Sequence, residues 1–173
     1  IPIEDCSRVV TVDLASSLKT SADYTVIATW AISPPMRGNE RFLILLDIKR
    51  GRMEGPDQLE AIEQVNRIWN PSTIKVESTS YQMTAIQALR RKNIPITELK
   101  ADKDKYSRAV TASNILKAGQ VFFPIGSLCL PDLESELLSF PKAAHDDQVD
   151  ALAYAARHLV GMSGSNHGLW IPE

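Results

Sequence analysis

The sequence has little cysteine and no long apolar run. Its two cysteines, Cys6 and Cys129, have no second Cys or His at the spacing of a metal site, so neither a disulfide framework nor a zinc centre is indicated. The longest apolar stretches, residues 26–32 and 42–46, are far shorter than the about 20 residues of a bilayer-spanning helix. The first residues also lack the pattern of a signal peptide. We therefore expect reduced, buried thiols and no membrane partner.

An excess of positive charge is also missing. The formal net charge is −2, whereas many nucleic-acid binders are strongly basic. Basic residues do cluster locally, at residues 49–52, 90–92 and 100–108. A solvated helix or hairpin face is a sufficient explanation for any one of these clusters. The overall charge therefore does not indicate a DNA-binding surface. Evidence for DNA binding has to come from specific residues.

The length and the apolar content fit one domain. A chain of 173 residues that is 44% hydrophobic can bury a core without disulfides or a structural metal. We predict a single domain over residues 1–173, with flexible ends at 1–7 and 161–173. The sequence starts without Met, in a loop-like segment, which indicates a piece of a longer protein.

The apolar periodicity predicts an α/β fold. Three β-rich runs come first, followed by helices and strands in alternation. The predicted strands are 8–14, 24–32, 41–49, 73–77, 94–99 and a short edge strand at 121–123. The predicted helices are 56–69, 81–92, 105–118, 133–140 and 146–160. Three antiparallel strands followed by parallel ones imply a mixed sheet with helices on both faces.

Three carboxylates cluster at the start of the last predicted helix. Asp146, Asp147 and Asp150 share an arc beside the apolar stripe of this helix, which we assign to Val149, Leu152, Ala153, Ala156, Leu159 and Val160. An N-cap and complementation of the helix dipole commonly explain one or two such acids, but they explain three less well.

Two more acids stand at the ends of apolar strands. Asp13 follows Val-Val-Thr-Val, and Glu77 follows Ile-Lys-Val. A carboxylate so close to a core needs a metal or a cationic partner, although each acid alone could simply face solvent. Mg²⁺ and Mn²⁺ prefer oxygen ligands, and a pair of such ions can promote phosphodiester cleavage. These acids can meet the last helix only if the first and fourth strands are neighbours.

Four segments in this order resemble the C-terminal nuclease domain of the large terminase subunit of tailed bacteriophages, a member of the RNase H-like superfamily. The resemblance covers nearly the whole chain. Its segments are residues 13–27 (Asp-Leu-Ala-Ser-Ser-Leu-Lys-Thr-Ser-Ala-Asp-Tyr-Thr-Val-Ile), 76–82 (Val-Glu-Ser-Thr-Ser-Tyr-Gln), 104–109 (Asp-Lys-Tyr-Ser-Arg-Ala) and 145–153 (His-Asp-Asp-Gln-Val-Asp-Ala-Leu-Ala).

The resemblance implies an RNase H-like fold and an endonuclease that uses two ions, Mg²⁺ or Mn²⁺. Asp13 matches the family's metal-bridging acid of the first strand, and Glu77 matches the acid of the fourth strand. Asp147 is the best match to the ligand of the last helix. Asp150 stays a catalytic candidate because the same run also resembles the end of Holliday-junction resolvases. Asp146 stays a further candidate for the metal site.

Other residues have more ordinary alternatives. Asp23 is expected to organise the loop beside Asp13 rather than to bind metal. His145 suits proton transfer, but we interpret it as a residue at the entry to the helix. An exposed helix face or hairpin is the alternative for the five candidate DNA-binding residues, which are Lys103, Lys105, Arg108, Arg50 and Arg52.

The resemblance also implies a biological setting. The expected substrate is concatemeric viral double-stranded DNA, cut during genome packaging in the cytoplasm of the infected bacterium. The chain contains no phosphate-binding loop of the Gly-x-x-x-x-Gly-Lys-Ser/Thr type, so we expect an ATPase domain upstream in the same polypeptide. Portal protein and the small terminase subunit are further expected partners. The alternatives are another RNase H-like nuclease, such as a junction resolvase or transposase, and a non-catalytic module that binds DNA or portal.

Overall fold

The computed structural model of the chain describes residues 1–15, 24–78, 83–100, 105–142 and 145–164. After a 3-10 turn at Ile3–Asp5, six strands form one sheet in the order β5-β4-β1-β2-β3-β6. Their bounds are β1 Ser7–Asp13, β2 Thr25–Ile32, β3 Leu43–Gly51, β4 Thr73–Ser78, β5 Ile96–Lys100 and β6 Val121–Phe122. The pairs β1–β2 and β2–β3 are antiparallel, whereas β1–β4, β4–β5 and β3–β6 are parallel. The predicted mixed sheet is confirmed.

In the described part of the chain, five α-helices cover the sheet. They are α1 Gly55–Trp69, α2 Met83–Arg91, α3 Lys105–Lys117, α4 Leu130–Ser139 and α5 Asp147–Gly164. Helix α1 ends at Trp69, as predicted. Asn70 ends it by taking the left-handed conformation, with φ of 45°. Gly119, with φ of 68°, lies just beyond the end of α3, where a residue without Cβ is favoured.

The core has two layers, one on each face of the sheet. On one face, β1–β3 pack against α3, α4 and α5 around Trp30, Leu43 and Leu152. On the other face, β1 and β4 pack against α1 and α2 around Val12, Ile74 and other buried aliphatic residues. Helices on both faces were predicted, and both core clusters confirm them.

The structure corrects several details of the predicted helices. Ile68, assigned to the apolar face of α1, is 60% exposed, and Val160, assigned to the stripe of α5, is 50% exposed. Residues 147–156 of α5 are instead buried on every side, because α5 lies between the sheet and helices α3 and α4. Within the ends predicted to be flexible, residues 3–5, Ser7 and residues 161–164 belong to regular elements.

The two cysteines are free thiols. Cys6 is buried, and burial raises the pKa of its thiol, whereas Cys129 is half-buried. Within the described ranges, no helix has the length and apolar character that crossing a membrane requires.

Candidate functional site

Two of the predicted acids, Asp13 and Glu77, lie side by side at the ends of neighbouring strands. Val12 of β1 and Val76 of β4 are partners in the parallel register, and Asp13 and Glu77 are the residues that directly follow them. Adjacent strands lie about 4.8 Å apart, so the two acids emerge at the same edge of the sheet. The condition that the first and fourth strands must be neighbours is therefore met.

Helix α5 crosses the sheet directly beside this edge. The Thr11 hydroxyl donates a hydrogen bond to the carbonyl of Ala151 at 2.9 Å, and it accepts one from the Trp30 indole N–H at 2.9 Å. Side chains two residues apart on a strand lie on the same face. Asp13, two residues after Thr11, therefore lies on the face of the sheet that carries α5.

The first turn of α5 brings further carboxylates to this place. Asp147 and Asp150 are only 4% and 7% exposed, and one Asp147 oxygen accepts a hydrogen bond from the backbone N–H of Tyr24 at 3.2 Å. Tyr24 directly precedes β2, whose Val26 pairs with Asp13. The helix N-terminus favours negative charge. Asp146 lies just before the helix, and its carbonyl accepts a hydrogen bond from the Asp150 N–H.

The acids surround one end of the sheet without converging on a point. Among the residues with described side chains, no three Asp, Glu, His or Cys groups are placed to hold one metal ion together. The donor chemistry nevertheless fits a hard divalent cation, because every candidate ligand is a carboxylate. Like-charged carboxylates repel each other when they share a site, and a bound cation offsets this repulsion.

An aromatic and basic cluster lies next to the acids, around Tyr24. The guanidinium carbon of Arg50 lies 4.0 Å from the centre of the Tyr24 ring, and that of Arg52 lies 5.0 Å from it. The His145 ring packs edge-on against Tyr24 with centroids 4.9 Å apart. The buried Nδ1 of His145 has no hydrogen-bond partner among the described residues. These cation–π contacts hold both arginines near the Asp147 end of the site.

Glu136 is an important residue of the site that the sequence reading missed. It is 6% exposed, and it accepts hydrogen bonds from the backbone and side-chain amides of Gln148 at 3.0 and 2.9 Å. It also pairs with Arg50 at 2.8 Å. This network ties α4 and β3 to the first turn of α5 and so fixes the helix that carries Asp147. Only its position in the fold distinguishes Glu136 from an ordinary acid on an amphipathic helix.

A second missed residue, Gln58, holds the chain just beyond Asp13. The side-chain amide of Gln58 in α1 lies within hydrogen-bond distance of the Ala15 carbonyl at 3.1 Å and of the Thr25 hydroxyl at 2.9 Å. The Ala15 N–H donates to the same hydroxyl at 3.1 Å. These bonds connect the end of β1 to the start of β2. A lone Gln on a predicted helix gives no sequence signal for this role.

The remaining predicted site residues divide into three groups. Asp23 and Lys103 lie outside the described residues. Lys105 and Arg108 belong to α3 by their backbone, but their side chains lie outside the described part. Arg50 and Arg52 lie at and just beyond the end of β3, and Arg50 also makes the ion pairs with Glu136 and, at 3.4 Å, with Asp132.

The sheet order and the acids beside α5 define an RNase H-like domain with a carboxylate site at one edge. The sequence pattern of the terminase RNase H-like domain matches residues 10–159, and the chain belongs to this family. It is thus a terminase nuclease domain, as the sequence motifs indicated.

Solved structures agree with this fold. The large terminase nuclease from thermophilic phage G20c, solved with bound magnesium, has a TM-score of 0.69 at 15% identity over 88% of this chain and 82% of that one. The same nuclease with bound cobalt gives 0.70 at 16% identity over 89% and 82%, and with bound zinc 0.69 at 18% identity over 89% and 82%. A comparison with curated proteins gave no match.

Proposed function

We propose that this domain is a divalent-metal-dependent endonuclease that cuts concatemeric viral double-stranded DNA during genome packaging. The observation that carries the proposal is the juxtaposition of Asp13 and Glu77 at neighbouring strand ends with the nearly buried Asp147 and Asp150 in the first turn of α5. Four carboxylates from three elements provide the oxygen-rich surroundings that phosphodiester hydrolysis with two ions requires.

The metal ligands in this proposal are Asp13, Glu77 and Asp147, with Asp146 as a further candidate. The proposed cofactor is Mg²⁺ or Mn²⁺, bound as a pair of ions. The metal-bound structures of the G20c nuclease support a divalent cation. Carboxylate side chains turn about χ1 and χ2. We expect them to converge when a cation neutralises their mutual repulsion.

The bound ions would supply electrostatic stabilisation of the attacking and leaving oxygens of the scissile phosphate. The chain's own residues perform the other tasks. Asp13 is fixed by its strand and by the bonds of Gln58 and Thr25 just beyond it. Asp147 is held by the Tyr24 N–H. Asp150, buried in the same helical turn, adds negative charge and is retained as a catalytic candidate.

Plasmid digestion tests the proposal directly. The unsubstituted chain is expected to nick or linearise plasmid DNA with Mg²⁺ or Mn²⁺ and to leave it intact in EDTA. Asp13→Asn and Glu77→Gln should each reduce the cleavage rate by at least about 100-fold, because each removes a strong electrostatic contribution to catalysis. Glu60→Gln is the matched control, because Glu60 is an exposed acid of α1, on the opposite face of the sheet. Undiminished metal-dependent cleavage by Asp13→Asn would contradict the assignment.

The setting of the reaction is also a proposal. We place the domain in the cytoplasm of the infected bacterium, joined to a packaging ATPase domain of the same polypeptide and working with portal protein and the small terminase subunit. Preferential cleavage of four-way junctions over linear duplex would instead favour a resolvase. Binding of DNA without cleavage under any metal condition would favour a non-catalytic module.

A further inference from the structure

A cavity lies on the same face of the sheet as the acids, one to two residues further from the strand ends. This cavity of about 430 Å³ separates α5 from the β4–β5 edge. Three of its described lining residues carry basic groups. It consists of Lys75, Leu99, Tyr154, Arg157, His158, Gly161 and Met162. We call this cavity the basic pocket.

The basic groups of the pocket are close enough to influence one another. Burial lowers the pKa of Lys75, and the neighbouring Arg157 lowers it further. Burial likewise lowers the pKa of His158, and Lys75 adds to that effect. A phosphate that entered the pocket would offer several acceptor oxygens to its Lys and Arg donors.

The pocket also stands at a suitable distance from the carboxylates. Lys75 precedes Glu77 by two residues on β4, which is about 7 Å along a strand, and Leu99 of the pocket pairs with Glu77 across β4 and β5. Arg157 follows Asp150 by seven residues of α5, which is about 10 Å along a helix. Successive charges of one DNA strand are about 3.4 Å apart along the duplex axis. A strand whose scissile phosphate lies at the acids therefore has other phosphates within reach of the pocket.

We infer that the basic pocket formed by Lys75, Arg157 and His158 binds a backbone phosphate of the DNA strand that is being cut. This phosphate lies within a few nucleotides of the scissile phosphate. The chemistry recognised is a phosphate oxyanion, which a free phosphate or nucleotide would share. The assignment to DNA rests on the proposed nuclease function. The pocket would hold the strand in register while the acids act on it.

NMR of the histidine rings tests the occupancy of the pocket without any cleavage. The full chain in EDTA is titrated with inorganic phosphate and, separately, with a short DNA duplex, and His158→Gln identifies the ring signal. We expect the His158 ring signals to shift with both ligands and to shift less in Arg157→Gln. No shift with either ligand overturns the inference. A shift with phosphate but not with DNA overturns the assignment to a DNA phosphate.

DNA affinity in EDTA at several salt concentrations provides the second test. Lys75→Gln and Arg157→Gln should each reduce the slope of log affinity against log salt by about 1, as for the loss of one phosphate contact. Arg67→Gln removes the same charge from the exposed face of α1 and should leave the slope unchanged. Equal slopes for Arg157→Gln and Arg67→Gln overturn the inference. Neither pocket measurement depends on cleavage. If the unsubstituted chain does not cleave DNA, that result counts against the proposed nuclease function and not against the pocket.

Discussion

At the scale of single residues, buried polar groups fix the positions of the acids. Glu136 accepts hydrogen bonds from two amide groups of Gln148 and forms an ion pair with Arg50. The Thr11 hydroxyl connects β1 to α5. Each of these groups would be costly to bury alone, because an unsatisfied buried polar group forfeits its hydration. Their substitution should therefore affect both stability and the placement of the site.

We expect Glu136→Gln to lower the free energy of unfolding by about 1–3 kcal/mol, because the charge-assisted bonds to Arg50 and Gln148 weaken. It should also reduce nuclease activity, because Gln148 directly follows Asp147. Urea denaturation and plasmid cleavage measure the two effects. Glu134→Gln, at an exposed position of the same helix, is the control and should change neither. Equal behaviour of the two variants would contradict the role given to Glu136.

The shared hydroxyl of Thr11 predicts a coupled pair of substitutions. Thr11→Val should cost about 1–3 kcal/mol of stability, because it removes the acceptor of the buried Trp30 N–H and the hydrogen bond to the Ala151 carbonyl. Trp30→Phe removes the indole donor. In a double-mutant cycle measured by urea denaturation, the double variant should lose less than the sum of the single losses, with a coupling of about 0.5–3 kcal/mol. Strict additivity would show that this bond contributes nothing.

At the scale of elements, each helix is held by the face that it buries. Ile62 of α1 is fully buried and Ile68 of the same helix is 60% exposed, although both fit the apolar periodicity of the sequence. We expect Ile62→Ala to lower stability by about 2–5 kcal/mol through a lost contact and a cavity. Ile68→Ala, the identical change on the same helix, should stay within about 0.5 kcal/mol. Thermal or urea unfolding compares the two, and similar losses would contradict the observed packing of α1.

At the scale of the whole molecule, the proposed metal site predicts that metal binding stabilises the folded chain. A cation that binds only the folded chain stabilises it by mass action, by about 2.7 kcal/mol at a concentration 100 times its Kd. For a domain of this size, that corresponds to a rise in Tm of roughly 5–10 °C. Thermal unfolding with Mg²⁺ or Mn²⁺ and with EDTA measures the rise. It should shrink markedly in Asp13→Asn and persist in Glu60→Gln. An equal rise in Asp13→Asn would indicate that the metal binds elsewhere.

Local sequence patterns were enough to predict the order of the elements and the candidate acids. Apolar alternation and helical periodicity depend on neighbours a few residues away, so the mixed α/β order, the end of α1 at Asn70 and the strand-end positions of Asp13 and Glu77 were all readable in advance. The motifs around residues 13–27 and 145–153 were enough to indicate the terminase family, whose pattern matches residues 10–159.

Which side chains are in contact depends on the packing of elements that are far apart in the chain. Glu136 and Arg50 are 86 positions apart in the numbering, and Thr11 and Ala151 are 140 apart, so no local pattern could pair them. The burial of α5 on all sides and the grouping of Lys75 with Arg157 and His158 likewise depend on how β4, β5 and α5 pack. Long-range packing sets burial and the proximity of charges, and it brings residues that are distant in sequence into an acidic group and a basic group.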